Sequence, residues 1–148
     1  MFTVRKLMPL HVLACIFIIA TGLLSGCAEK KSDEAMIQEQ IEFLQEAIET
    51  HDRGKFMAII DAQYHDQLNK DRKSLQRMLL AFFLRYKDIS VYVSASQFDI
   101  RPIRAEVQSQ IVVTGGKGLF PENARHYQLT SCWKKNSGAW LLSCLEWQ

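Results

Sequence analysis

Proline and glycine are scarce in this chain of 148 residues, at three and seven positions. A composition this even, 48% hydrophobic and 23% charged, excludes a collagen-like or disordered chain. An excess of charge is also missing once the first residues are set aside. Arg5 and Lys6 are the only basic or acidic side chains among residues 1–26, so 18 basic residues less these two leave 16 against 16 acidic ones. A body without net formal charge has no broad basic footprint for nucleic acid and no acidic tail for cations. Patterns for metals and nucleophiles are absent too. Beyond residue 26 the histidines are His51, His65 and His126, and none stands at the i, i+4 or Cys-x-x-Cys spacing of a metal site. No Gly-x-Ser-x-Gly elbow occurs. Gly115-Gly116-Lys117-Gly118 runs through Phe120-Pro121 towards another expected strand, whereas a phosphate loop opens a helix with a longer glycine-lysine-hydroxyl pattern. Those glycines read as a hairpin loop that tolerates positive φ. Internal repeats and low-complexity segments are lacking, and nothing calls for a cofactor.

What is present begins with a short basic stretch, Met1 to Lys6, followed by the apolar run Val12 to Ala20 and then Thr21-Gly22-Leu23-Leu24-Ser25-Gly26-Cys27. This is the anatomy of a signal peptide. A membrane-spanning helix needs about 20 predominantly apolar residues, and Pro9, His11, Thr21 and Gly22 interrupt this one. Leu24-Ser25-Gly26-Cys27 resembles the lipobox of bacterial lipoproteins. The resemblance implies cleavage between Gly26 and Cys27 and lipidation of the Cys27 sulfur, each buried methylene adding about 0.8 kcal/mol to the anchor. Ala28 after the cysteine resembles the pattern of lipoproteins sorted to the outer membrane, facing the periplasm. Residues 27–35 then form the lipidated cysteine and a polar tether, whose last eight residues reach roughly 26 Å at about 3.3 Å each.

The body, residues 36–148, reads as helices and then strands. Ile37, Ile41, Leu44 and Ile48 recur at helical spacing, broadened by Phe43 and Ala47, and predict an amphipathic helix. Asp52 is the expected N-cap of a second helix through Phe56, Met57, Ile59 and Ile60 that fades near Tyr64, and Asp71 that of a third. The third carries Leu75, Met78, Leu79, Phe82, Phe83 and Tyr86, and is the expected central core helix. After Lys87 the period becomes 2. Ile89, Val91, Val93 and Ala95, then Ala105, Val107, Ser109, Ile111 and Val113, mark the inward faces of two strands joined at Asp99-Ile100-Arg101-Pro102. Further strands are expected over about 125–135 and 140–147, with Leu129, Trp133, Leu141, Leu145 and Trp147 on the core face. Helices followed by strands argue for an α+β fold with three helices on a sheet of four or more antiparallel strands.

Cys132 and Cys144 fall in the last two strands. Export favours a disulfide between them. The register opposes it: a three-residue loop at Asn136 to Gly138 would set Cys132 against Leu142 and Cys144 against Thr130, diagonal positions about 7 Å apart and just beyond disulfide range. A bulge would bring the two together.

Three helices, four long strands and the hairpin Trp133-Lys134-Lys135-Asn136-Ser137-Gly138-Ala139-Trp140 together resemble the nuclear transport factor 2-like superfamily, with its SnoaL-like and ketosteroid isomerase-like members. The resemblance spans Ile37 to Gln148. It implies a curved sheet wrapped around helices into a cone with a pocket, a scaffold that serves enzymes, binding domains and assembly modules alike. An isomerase-like site needs a carboxylate base and an oxyanion partner in an apolar cavity, and the inward sets on the first two strands contain no carboxylate. Asp61, Tyr64 and His65, at the end of the second helix, are the candidate acid and base at the mouth of the cone. The leading expectation is therefore a non-catalytic lipoprotein of the bacterial cell envelope, anchored in the membrane, that binds a small apolar ligand or an envelope protein. Trp140 and Leu142, on the face opposite the core set, motivate a second expectation, a homodimer formed through the sheet. A small-molecule isomerase or dehydratase is the third.

Overall fold

The computed structural model describes residues 31–116 and 123–148. The expected signal peptide, Gly26 and Cys27, the first part of the expected tether and Lys117-Gly118 lie outside the described residues. Among the described residues no helix is long and apolar enough to cross a membrane.

Helix α1 spans Asp33–Glu49 and starts where Ser32 accepts a hydrogen bond from the Ala35 N–H, with Asp33 and Glu34 at the positive end of the helix dipole. Its stripe of Ile37, Ile41, Leu44, Ala47 and Ile48 packs into the core. Phe43 lies outside it, exposed beneath the Lys55 ammonium. His51 takes a positive φ of 57° to end the helix, and Asp52 accepts from the Lys55 N–H to begin helix α2, Arg53–Ala58.

Here the structure corrects the sequence reading. The chain leaves α2 after six residues and runs as strand β1, Ile60–Asp66, parallel to strand β5, Ala139–Trp147. The reason is local: Arg72 donates to the carbonyls of Met57 and Ile60, and the Ile59 carbonyl accepts from the Leu142 N–H at 2.9 Å, so these groups are satisfied without a further helical turn. Asp66 then closes a tight turn, accepting from the N–H groups of Leu68 and Lys70. Asp71 caps helix α3, Arg72–Arg85.

Strands β2 (Asp88–Ile100), β3 (Arg104–Gly116) and β4 (Asn123–Asn136) continue into β5 as an antiparallel meander. The sheet order is β1-β5-β4-β3-β2, so the sheet is mixed and five-stranded rather than wholly antiparallel. Two bulges reset its faces. One in β2, between Val93 and Ala95, switches the inward positions, and Phe98 and Ile100 join the core. The other is at Ser143: Trp133 pairs with Leu142, but Cys132 pairs with Cys144. The hairpin turn is also shorter than expected. Asn136 pairs with Ala139, and Ser137 and Gly138 take positive φ of 49° and 87°, as a two-residue turn with the twist of the flanking strands requires.

Cys132 and Cys144 are thereby set opposite one another, with Cα atoms 4.8 Å apart and joined by a disulfide. The two-residue turn, which pairs Trp140 with Lys135 and Leu142 with Trp133, also overturns the expected face assignment: Trp140 and Leu142 are each 1% exposed, which removes the observation that motivated dimerisation through the sheet. The most deeply buried large side chains are Trp133, Trp140, Ile37, Leu142 and Val107. The core is thus centred on α1 and β3–β5. Helix α3 is not the central core helix expected from its apolar face, because it buries Leu75 and Leu79 but leaves Met78 half-exposed.

Candidate functional site

The expected inward positions of β2 and β3 and one face of each long helix do not close upon each other. They line an open-mouthed cavity of about 390 Å3 between α1, α3 and the concave side of the sheet. Ile41, Leu44 and Ile48 form one wall, Leu75, Met78, Leu79 and Phe82 another, and Val91, Val93, Ile111, Leu129 and Trp133 the sheet floor. Its volume falls in the range of about 300–1,000 Å3 usual for small-molecule sites.

Polar groups in the lining are few: Gln45, Ser109, Tyr127 and Ser131. The Ser131 hydroxyl is already engaged, donating to the Val107 carbonyl at 3.3 Å and accepting from Trp133 Nε1 at 3.0 Å. Tyr127 is the sole titratable side chain among the described lining residues. Such a cavity selects by shape and apolar contact, since burying a charged group without a partner is strongly unfavourable.

Asp61, Tyr64 and His65 lie on β1, not on a helix end, and none of them lines this cavity. Asp61 is buried and its carboxylate accepts from the Gln63 N–H at 2.8 Å. Tyr64 is buried, and burial first, then the nearby Asp66 charge, pushes its phenol well above the ordinary tyrosine range. His65 is exposed, with Nδ1 3.4 Å from the Gln63 carbonyl. The structure gives the other two histidines separate tasks. His51 Nε2 lies 2.9 Å from the Tyr86 carbonyl with its ring against Phe83, and His126 meets Gln110 on the sheet surface. Among the described residues no three His, Cys, Asp or Glu side chains stand together as a metal site.

The fold is similar to that of several solved structures. Bd1075 of Bdellovibrio bacteriovorus superposes with a TM-score of 0.67 at 16% identity, over 75% of this chain and 38% of its own length. The hexachlorocyclohexane dehydrochlorinase LinA-type3 of Novosphingobium barchaimii superposes with a TM-score of 0.65 at 12% identity, covering 78% of this chain and 84% of the enzyme. A variant of Rd1NTF2_05 does so with a TM-score of 0.61 at 14% identity, covering 79% of this chain and 100% of that one. The chain has a nuclear transport factor 2-like fold. The sequence itself matches no protein-family model and no curated protein. Because this fold carries both enzymes and other proteins, the cavity rather than the fold has to decide the function.

The resemblance implied a pocket in the cone, but sequence periodicity does not tell which of the apolar positions line it. Ile41, Leu44, Leu79, Val91 and Ile111 were all assigned to a core, and periodicity is the same for a residue that faces a neighbour and one that faces a void. The usable signal was Ser109, a hydroxyl among the inward positions of β3.

Proposed function

We propose that this chain is an envelope lipoprotein whose globular domain binds a small, predominantly apolar molecule without transforming it. The observation that carries the reading is the cavity of about 390 Å3 with a nearly wholly apolar lining. Its one titratable group, Tyr127, has no carboxylate or imidazole beside it in the lining to act as a second acid or base. An isomerase or dehydratase needs at least one positioned proton acceptor at the reacting carbon. The lipobox Leu24-Ser25-Gly26-Cys27 supports the rest of the proposal. Acylated at Cys27, the chain is tethered to the outer membrane facing the periplasm, and its domain meets apolar molecules at the bilayer surface.

The test is a native mass spectrum of the full-length protein extracted gently from the cell that makes it. The expected result is a diacylglyceryl-modified polypeptide beginning at Cys27 that carries a dissociable small-molecule adduct. An unmodified chain overturns the anchor, and a ligand-free spectrum together with no uptake of added apolar probes overturns the binding reading.

A further inference from the structure

A second hollow, of about 370 Å3, opens between the C-terminal part of α3 and the β3–β4 pair. It shares Met78, Phe82, Val113 and Tyr127 with the apolar cavity, so the two adjoin along a common wall. Its character is different. Arg85 from α3 and Arg125 from β4 both line it, and among the described residues no Asp or Glu does. Among the described residues neither arginine forms an ion pair.

Both guanidinium groups lie beside tyrosines. Arg85 stacks over the Tyr86 ring, Cζ 5.6 Å from its centroid, and Arg125 lies near the Tyr127 phenol, which favours the charged guanidinium. Tyr86 in turn sits against Gly115, where a Cβ would approach the ring to 3.2 Å. Two cations without carboxylates, beside an apolar cavity and joined to it through a shared wall, are complementary to a molecule that is apolar at one end and anionic at the other. Guanidinium groups favour planar carboxylate and phosphate heads, which they bind by paired N–H···O bonds.

We infer that the ligand is a single-chain anionic amphiphile, its tail in the apolar cavity and its carboxylate or phosphate head at Arg85 and Arg125. This rests on the binding function proposed above and names the ligand class. A volume of about 390 Å3 lies near the lower end of the range for ligand sites, which favours one acyl chain over two.

Trp133 and Trp147 line the apolar cavity, so a bromine on the tail of a bound ligand would quench them. The experiment titrates the full-length protein, in phosphatidylcholine nanodiscs, with 10-bromodecanoate, 10-bromodecyl phosphate and 10-bromodecan-1-ol, and separates saturable quenching from the non-saturable part that comes from partition into the bilayer. The expected result is saturable quenching by all three, with an anion binding at least about tenfold more tightly than the alcohol, a difference of about 1.4 kcal/mol. The variant Arg85→Gln/Arg125→Gln should remove that preference, bringing the affinity for the anions down to that for the alcohol. A preference for the acid or the phosphate ester identifies which head group the site takes. Equal affinity for the anions and the alcohol overturns the anionic-head assignment while the apolar-ligand reading stands. Absence of saturable quenching by any of the three overturns both.

Discussion

Asp33 carries more of the architecture than its place in an exposed first turn suggests. Its Oδ1 accepts from Trp140 Nε1 at 3.1 Å and from the Lys135 ammonium, which ties the start of α1 to the β4–β5 hairpin. Replacement by alanine leaves an indole N–H of a fully buried tryptophan without that acceptor. Asp33→Ala should therefore destabilise the domain by about 1–3 kcal/mol, the cost of a stranded buried donor, whereas Asp33→Asn, which keeps an acceptor oxygen, should lose less. Urea unfolding of the two variants checks this, and equal losses would show that charge, not the indole contact, matters. Tyr64 yields a pH dependence. Its phenol titrates above the ordinary range because of burial and Asp66, so the folded state keeps a proton that the unfolded chain has lost. The resulting stabilisation is complete below the unfolded value of about 10 and is lost as pH rises from there towards the folded value. Stability measured by denaturant should fall above about pH 10, and Tyr64→Phe should flatten that fall; an unaltered slope would assign it elsewhere. Such residue-scale roles are unevenly legible in a sequence. Asp52 and Asp71 were readable as caps because a cap bonds a backbone N–H three residues on. Asp33 was not, since its partner is 107 residues away.

Among the elements, β1 and the β5 bulge are two that sequence periodicity misplaced, and both have identifiable causes. In β1, Ile60, Asp61 and Tyr64 are buried while Ala62 and Gln63 are exposed. The Asp61 carboxylate bonds the Gln63 N–H, an Asx-type turn that breaks the alternation of a strand where the pairing with β5 shifts. Without alternation the segment continued the helical pattern before it. The helices and the antiparallel strands, by contrast, had long periodic stretches, and their order was readable. In β5 the extra residue is Ser143, whose hydroxyl donates to the Cys132 carbonyl at 3.1 Å. A regular ladder running on from Trp133↔Leu142 would put Cys132 opposite Ser143 instead of Cys144. The bulge and the disulfide are consequently one device. Converting both Cys132 and Cys144 to alanine should cost about 2–3 kcal/mol, given a closed loop of this length, and deleting Ser143 in the wild-type background should expose both thiols to alkylating reagents. Thermal unfolding with and without reductant provides the comparison; identical midpoints for wild type and the alanine pair would mean that the hairpin alone holds the register.

For the whole molecule, the cavity is an expense of stability that a purely structural domain would have no reason to bear, because apolar walls facing a void lack the dispersion contacts of a packed core. Protein interiors otherwise fill such space. This makes the ligand reading testable through stability itself. Leu129 lines the cavity from β4 and is only partly buried, so Leu129→Trp should extend an indole into the space between α1 and the sheet. If the volume is open to a ligand, the ligand-free variant gains contacts and its Tm should rise by about 3–6 °C, corresponding to roughly 1 kcal/mol in a domain of this size. Uptake of bromodecanol should fall at least about tenfold at the same time, a penalty of about 1.4 kcal/mol. Gain of stability with loss of function is the relation expected where a site is kept open for use. A lower Tm with binding intact would instead mean that the walls already meet around Leu129 and that the ligand occupies another part of the cavity. Because Leu129 belongs to neither arginine, the head-group preference between acid and alcohol should survive in whatever binding remains, which separates the contribution of the cavity from that of its charged neighbour.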